Sequence, residues 1–172
     1  MVTEAFRGEV YQKIDSKARV SIPAAFRRIL EAEAEAGTAD ADARPKVYMV
    51  YGGKTRSFVE CYSKAGADRL AAKIESMELG SPDRDRAERD LISRSVMVEI
   101  EPDGRIVLPA NVRAKMGYGP DDLAKGGEAA FAGFTNRFKL YRREVYDAEL
   151  AAEDDGDGRD PLALVGRAAR DG

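Results

Sequence analysis

DSKARVSIPAAFR, residues 15–27, and EPDGRIVLPANVR, residues 101–113, align without a gap at an offset of 86. Each opens on an acid, reaches an arginine four residues later, runs through three apolar-leaning residues to Pro-Ala, and ends on arginine. Arg19 thus matches Arg105, Pro23 matches Pro109, Ala24 matches Ala110 and Arg27 matches Arg113. A second pair, VECYS at 59–63 and FKLYR at 138–142, matches at an offset of 79, so the first copy is seven residues longer between its matched parts. The alanine- and acid-rich stretch EAEAEAGTADADARP at 31–45 is the natural place for the extra length, read as helix up to about Ala36, ended by Gly37, with Pro45 opening the next element. Self-similarity at a fixed spacing settles architecture before any single element does.

Each copy reads as hairpin, short helix, hairpin. GEVYQKID and SVMVEIEP carry the β-branched and aromatic content of strands. The turns SKA and PDG follow, the second with the Asp-Gly signal of a sharp reversal. RVSIP and RIVLP are second strands, each closed by a proline suited to a first helical position, and AAFRRIL and ANVRAKM are short helices. KVYMVYG with RSFVECYS, and EAAFAGF with RFKLYR, complete the two copies. Between them, Leu70, Ile74 and Met77 mark an amphipathic helix up to Leu79, closed by Gly80, and Ser81-Pro82 opens a second, highly charged helix. EVYDAEL at 144–150 is the second copy's counterpart helix. The expected domain plan is a first repeat with its helix at 5–80, a linker helix and second repeat at 81–150, and a loose acidic tail at 151–172.

Composition narrows the chemistry. In 172 residues there is no histidine and one cysteine, Cys61, which excludes histidine-containing zinc sites, Ser-His-Asp triads, Cys-His dyads and an intrachain disulfide. Cys61 itself reads as a small buried apolar residue. No convergent carboxylate or lysine cluster suggests an enzyme, and no cofactor or metal is expected. No apolar run approaches the length of a membrane helix and no export signal is visible, so a cytoplasmic, nucleoid-associated protein is expected. The net charge is −3, but it is unevenly spread: residues 1–30 hold six basic and three acidic side chains, and residues 144–172 hold nine acidic and three basic ones. Gly52-Gly53 in GGKTR lacks phosphate-loop spacing and reads as a hairpin turn. The aromatics Phe58, Tyr62, Phe131, Phe134, Phe138 and Tyr141 fall in strand segments and read as core.

FRGEVYQKIDSKARVSIPAAFR at 6–27 and EIEPDGRIVLPANVRAKMG at 99–117 resemble the paired Asp-x-x-x-Arg signatures of the MraZ family of bacterial transcriptional regulators, over residues 5–150. The resemblance implies an α+β fold in which two internal repeats build a pseudo-two-fold, swapped-hairpin β-barrel of the SpoVT-AbrB type with peripheral helices. It also implies assembly into a homo-oligomeric ring and binding to direct repeats in double-stranded promoter DNA of the division and cell-wall gene cluster, typically as a repressor. An antitoxin-like interaction module on the same barrel is the alternative, with the acidic tail on a basic partner. Two departures from the family pattern stand out. Ala18 replaces the glycine before the first arginine, where a positive φ would cost about 1 kcal/mol, and Glu101 replaces the second aspartate, with Asp103 inside the turn.

Arg19 and Arg105 follow tight turns, where a guanidinium can reach phosphate or guanine O6 and N7. The expected DNA-binding set is Arg7, Lys13, Asp15, Lys17, Arg19, Glu101 and Arg105 on one basic barrel rim, with Asp15 and Glu101 orienting the arginines and Arg7, Lys13 and Lys17 on phosphates.

Overall fold

A computed structural model describes residues 4–36, 44–154, 156 and 158–171 of the chain. The first copy supplies β1 (Glu9–Ile14), β2 (Arg19–Ser21), α1 (Ala24–Ala36), β3 (Lys46–Val50), β4 (Val59–Tyr62) and α2 (Lys64–Glu75). Helix α3 (Pro82–Ala87) runs into a wide, π-type turn at Glu88–Ser93. The second copy supplies β5 (Ser95–Glu99), β6 (Arg105–Val107), α4 (Ala110–Met116), β7 (Gly127–Gly133), β8 (Phe138–Arg142) and α5 (Arg143–Asp154), and α6 (Pro161–Asp171) follows.

The eight strands form one antiparallel sheet in the order β5-β3-β4-β8-β7-β1-β2-β6. The turn bond from Glu101 N–H to Arg105 C=O brings the two end strands together, so the sheet is nearly a closed barrel. The hairpins are exchanged between copies: β1 of the first pairs with β7 of the second, and β5 of the second with β3 of the first. Where equivalent strands meet, the register is symmetric. Arg19 faces Val107 and Ser21 faces Arg105, with Val20 and Ile106 on the pseudo-two-fold axis; across the barrel, Val59 faces Leu140 and Cys61 faces Phe138, with Glu60 and Lys139 on the axis.

Alternation along the strands drives closure, because inward side chains from both copies must share one interior. Val20, Phe26, Val47, Met49, Val59, Cys61, Ile106, Phe131, Phe138 and Leu140 are all sealed from solvent. Phe26 from α1 stacks on Phe138 of the other copy at 4.9 Å, and Phe6 meets Phe26 edge-on at 5.6 Å. Neither copy therefore has a complete core alone; truncating Phe26 to alanine would cost about 3–5 kcal/mol.

Several expectations shift. The seven extra residues do not all lie in 31–45. Lys46 faces Glu99 as Glu128 faces Lys13, and Glu99 corresponds to Lys13 at the offset of 86, so Lys46 corresponds to Glu128 at an offset of 82. Four of the extra residues thus precede β3, and three lengthen the β3–β4 loop. Gly37 lies outside the described residues. Pro109 is the cap before α4 rather than its first residue, and α2 ends at Glu75, before Gly80. Residues 161–171, expected as loose tail, are helical. Phe134 sits at the β7–β8 turn, 38% exposed, rather than in the core. No helix of the described residues is long and apolar enough to cross a membrane.

Candidate nucleic-acid interface

The turns after β1 and β5 share one backbone. Ala18 N–H donates to Asp15 C=O at 3.0 Å and Asp15 N–H to Arg19 C=O at 3.0 Å; Gly104 and Glu101 make the equivalent bonds at 2.8 and 2.9 Å. Both turns end on a left-handed residue, Ala18 at φ 62° and Gly104 at φ 83°, as a three-residue hairpin connection requires. The second copy meets that requirement with glycine and the first with a strained alanine. The carbonyls of these residues then accept Leu108 N–H at 2.9 Å and Ile22 N–H at 3.0 Å, each from the other copy, locking the two hairpins together.

The turns differ in what holds the arginine. Asp15 accepts Lys17 N–H and Arg19 N–H on Oδ1, both at 2.9 Å, and Arg19 Nε–H on Oδ2 at 2.7 Å. Its carboxyl is held below the ordinary aspartate range, foremost by the Arg19 backbone N–H, with the guanidinium and Lys17 N–H adding to it. In the second copy, contrary to the expectation that it orients Arg105, Glu101 pairs with Arg44 at 3.2 Å. Asp103 takes over, accepting Arg105 N–H at 3.1 Å and Nε–H at 2.8 Å. Its carboxyl is lowered by the same two contacts, the backbone one first. A carboxylate two residues before the arginine closes a shorter ring than one four residues before, and Glu101 is engaged by Arg44 instead.

Because β2 and β6 run antiparallel, the two turns point in opposite directions along the barrel, so the expected single rim is instead a side face. Arg19, Ser21, Arg105 and Val107 alternate with the buried Val20 and Ile106 and therefore all face outward. Arg19 and Arg105 are diagonal neighbours on this three-residue ribbon, and Asp15 Oδ2 lies 3.7 Å from Arg105 Nη1 as well as bonding Arg19. Each guanidinium uses Nε on its carboxylate and remains more than a third exposed, which fixes the fork while leaving its outer nitrogens accessible.

Two open grooves flank this pair, both lined by Arg19 and Arg105. One continues over Glu101, Pro102, Asp103 and Val107, the other over Lys13, Ser16 and the β7 approach at Lys125 and Gly126. The exposed side chains of Lys13, Lys17 and Lys125 make no ion pair or hydrogen bond among the described residues. Lys125 was not anticipated; it lies in a loop that no repeat match covers, and only the register of β1 on β7 brings it here. Arg7 does not join the group. It precedes β1 at the end away from the turn, beside the Phe6–Thr135 bridge, about 20 Å along the strand from Lys13. No group of acids and the cysteine among the described residues could hold a metal ion.

No protein-family model matches the chain. Curated relatives do. A transcriptional regulator MraZ of Cereibacter sphaeroides is 45% identical over 167 residues, covering 95% of this chain and 97% of its own. Those of Ruegeria sp. and Ruegeria pomeroyi are 37% and 38% identical, covering 93% and 87% of this chain and 94% and 85% of theirs. With the barrel and the duplicated arginine turns, this chain belongs to the MraZ family of transcriptional regulators.

Proposed function

We propose that the β2–β6 face binds double-stranded promoter DNA, Arg19 and Arg105 reading base edges and Lys13, Lys17 and Lys125 meeting phosphates. The observation that carries this reading is the pair of outward guanidiniums, each tethered at Nε, beside three exposed lysines that form no ion pair among the described residues. A tethered fork loses little entropy on bonding guanine, and a bidentate contact discriminates against a wrong base by about 1–3 kcal/mol. The chain's net negative charge does not oppose this, since the acids concentrate in residues 144–172 and the field at the face is local.

In this reading the protein acts in the cytoplasm, at the nucleoid, as a repressor of a division and cell-wall gene cluster. It engages direct promoter repeats as a homo-oligomeric ring. One face per protomer gives modest affinity, and joining several on a scaffold raises it through effective concentration.

The test is an anisotropy titration of the full chain with DNA from upstream of its own gene, at two salt concentrations, against an unrelated duplex of equal length. Three phosphate-bound lysines give a slope of log affinity on log salt of about −2.7. Equal affinity for both duplexes at both salts would remove the sequence-specific reading.

A further inference from the structure

The second exit of the pseudo-two-fold axis, across the barrel from the arginine pair, carries a charge contrast that the fold does not need. Against the β4–β8 seam, α2 and the β7–β8 turn enclose a recess of about 400 Å³ lined by Arg69, Lys73, Asn136 and Arg137 over Glu60. Glu60, 6% exposed, is already compensated by Arg56 at 2.6 Å, Arg137 at 3.0 Å and the Tyr62 hydroxyl. Arg137 is held in place by the Phe134 carbonyl at 3.0 Å and Asn136 at 3.1 Å. Arg69 and Lys73, exposed one turn apart on α2, have no partner among the described residues. The recess is thus a cationic cup with Arg137 fixed at its base.

At the offset of 79, helix α5 takes the place of α2 in the other copy. Some features repeat, such as the pair Lys64–Asp68 at 2.8 Å and its equivalent Arg143–Asp147 at 3.1 Å. The charge does not. Arg69 and Lys73 correspond to Ala148 and Ala152, and Leu70 and Ile74 are replaced by the acids Glu149 and Glu153, while Asp154 matches the acid Glu75. Glu153 and Asp154 are exposed and unpaired among the described residues, at a helix C-terminus, where the dipole leaves acids poorly stabilised without an external cation.

We infer that the acidic C-terminal end of α5 in one chain docks into the Arg69–Lys73–Arg137 cup of a second, identical chain. Charge complementarity selects the occupant: one chain carries both surfaces, at opposite ends of its barrel, with α2 leaving the β4 end and α5 the β8 end. Contacts between unlike surfaces propagate head to tail and close into a ring when the rotation permits. This rests on the proposed ring only for the expectation of self-association and is independent of the arginine face.

The experiment is a charge exchange on the full chain, followed by sedimentation velocity at low and high salt. R69E/K73E and E153K/D154K each place like charges across the contact, and each alone is expected to lose assembly by about tenfold or more in association constant. Mixed one to one, the two variants again offer opposite charges at every contact, and assembly returns. Circular dichroism confirms that both variants fold. Assembly unchanged in the single variants, or absent from the mixture, overturns the inference. So does wild-type protein that sediments as a single chain, or an R69E/K73E variant that loses DNA affinity while assembling normally, which would make phosphate the occupant. A single-box DNA titration of the dissociated variants reports on the arginine face separately.

Discussion

The turns at residues 15–19 and 101–105 have the same backbone hydrogen bonds and the same left-handed corner, yet they reach that geometry by different chemistry. In the first, an aspartate at the turn's start holds the arginine and a strained alanine makes the corner. In the second, an aspartate inside the turn holds the arginine, a glycine makes the corner, and the starting glutamate is diverted to Arg44. Backbone shape is thus the property both copies share, and the orienting carboxylate is interchangeable. The first turn is also better connected, because Asp15 touches both guanidiniums whereas Asp103 touches one.

That inequality is open to direct attack. Arg19→Ala and Arg105→Ala are each expected to weaken promoter binding by about 1–3 kcal/mol, roughly 5- to 150-fold. Arg142→Ala, whose guanidinium serves Gly117 C=O and Glu144, should leave anisotropy titrations close to wild type. Similar losses from all three would end the distinction between face and remainder.

Next in size is the corner. A β-carbon at Gly104 would meet the far end of the Arg27 side chain, which can swing aside, so the cost of Gly104→Ala is chiefly left-handed strain at φ 83°, expected at about 1–3 kcal/mol. For a chain of this length that is a fall of about 2–12 °C in Tm. Ala18→Gly relieves strain but frees the unfolded chain and loses a buried methyl, so thermal unfolding should move by less than about 1 kcal/mol.

Removing the orienting charge comes third. Asp15→Asn keeps an acceptor for the turn's N–H groups but releases both arginines, so it should cost DNA affinity more than Asp103→Asn, by about threefold on the scale of one weakened charge-assisted bond. Both carboxyls titrate below the ordinary range in the folded protein. Their contribution to stability is therefore complete above the unfolded-state value and disappears as pH falls through the lower folded value. Carboxyl-carbon NMR titration should place both midpoints below those of exposed aspartates. Glu101→Ala is the smallest change: with Arg105 held elsewhere, binding should stay within about twofold, the size of one exposed ion pair.

The duplicated arginine turns and the helix after each were legible because repeats report spacing, and spacing survives in a linear sequence. The left-handed corner at Ala18 was legible as a departure from glycine. What escaped depended on partners far along the chain. Asp103 replaces Glu101 where Glu101 is drawn to Arg44, 57 residues earlier in the chain. Lys125 joins the face only through β1 pairing with β7, and Arg7 leaves it because six residues of extended strand intervene. The division of the seven extra residues appeared only when strand registers were compared, since unmatched letters carry no position.

A barrel made from two identical chains would be obliged to present every surface feature twice. Covalent joining of the halves lifts that obligation. Ser21 can differ from Val107 and lysine at 17 from aspartate at 103, while the sealed pair Val20 and Ile106 keeps the halves aligned. A molecule built this way has a direction, and the two ends of its β2–β6 ribbon are chemically unlike.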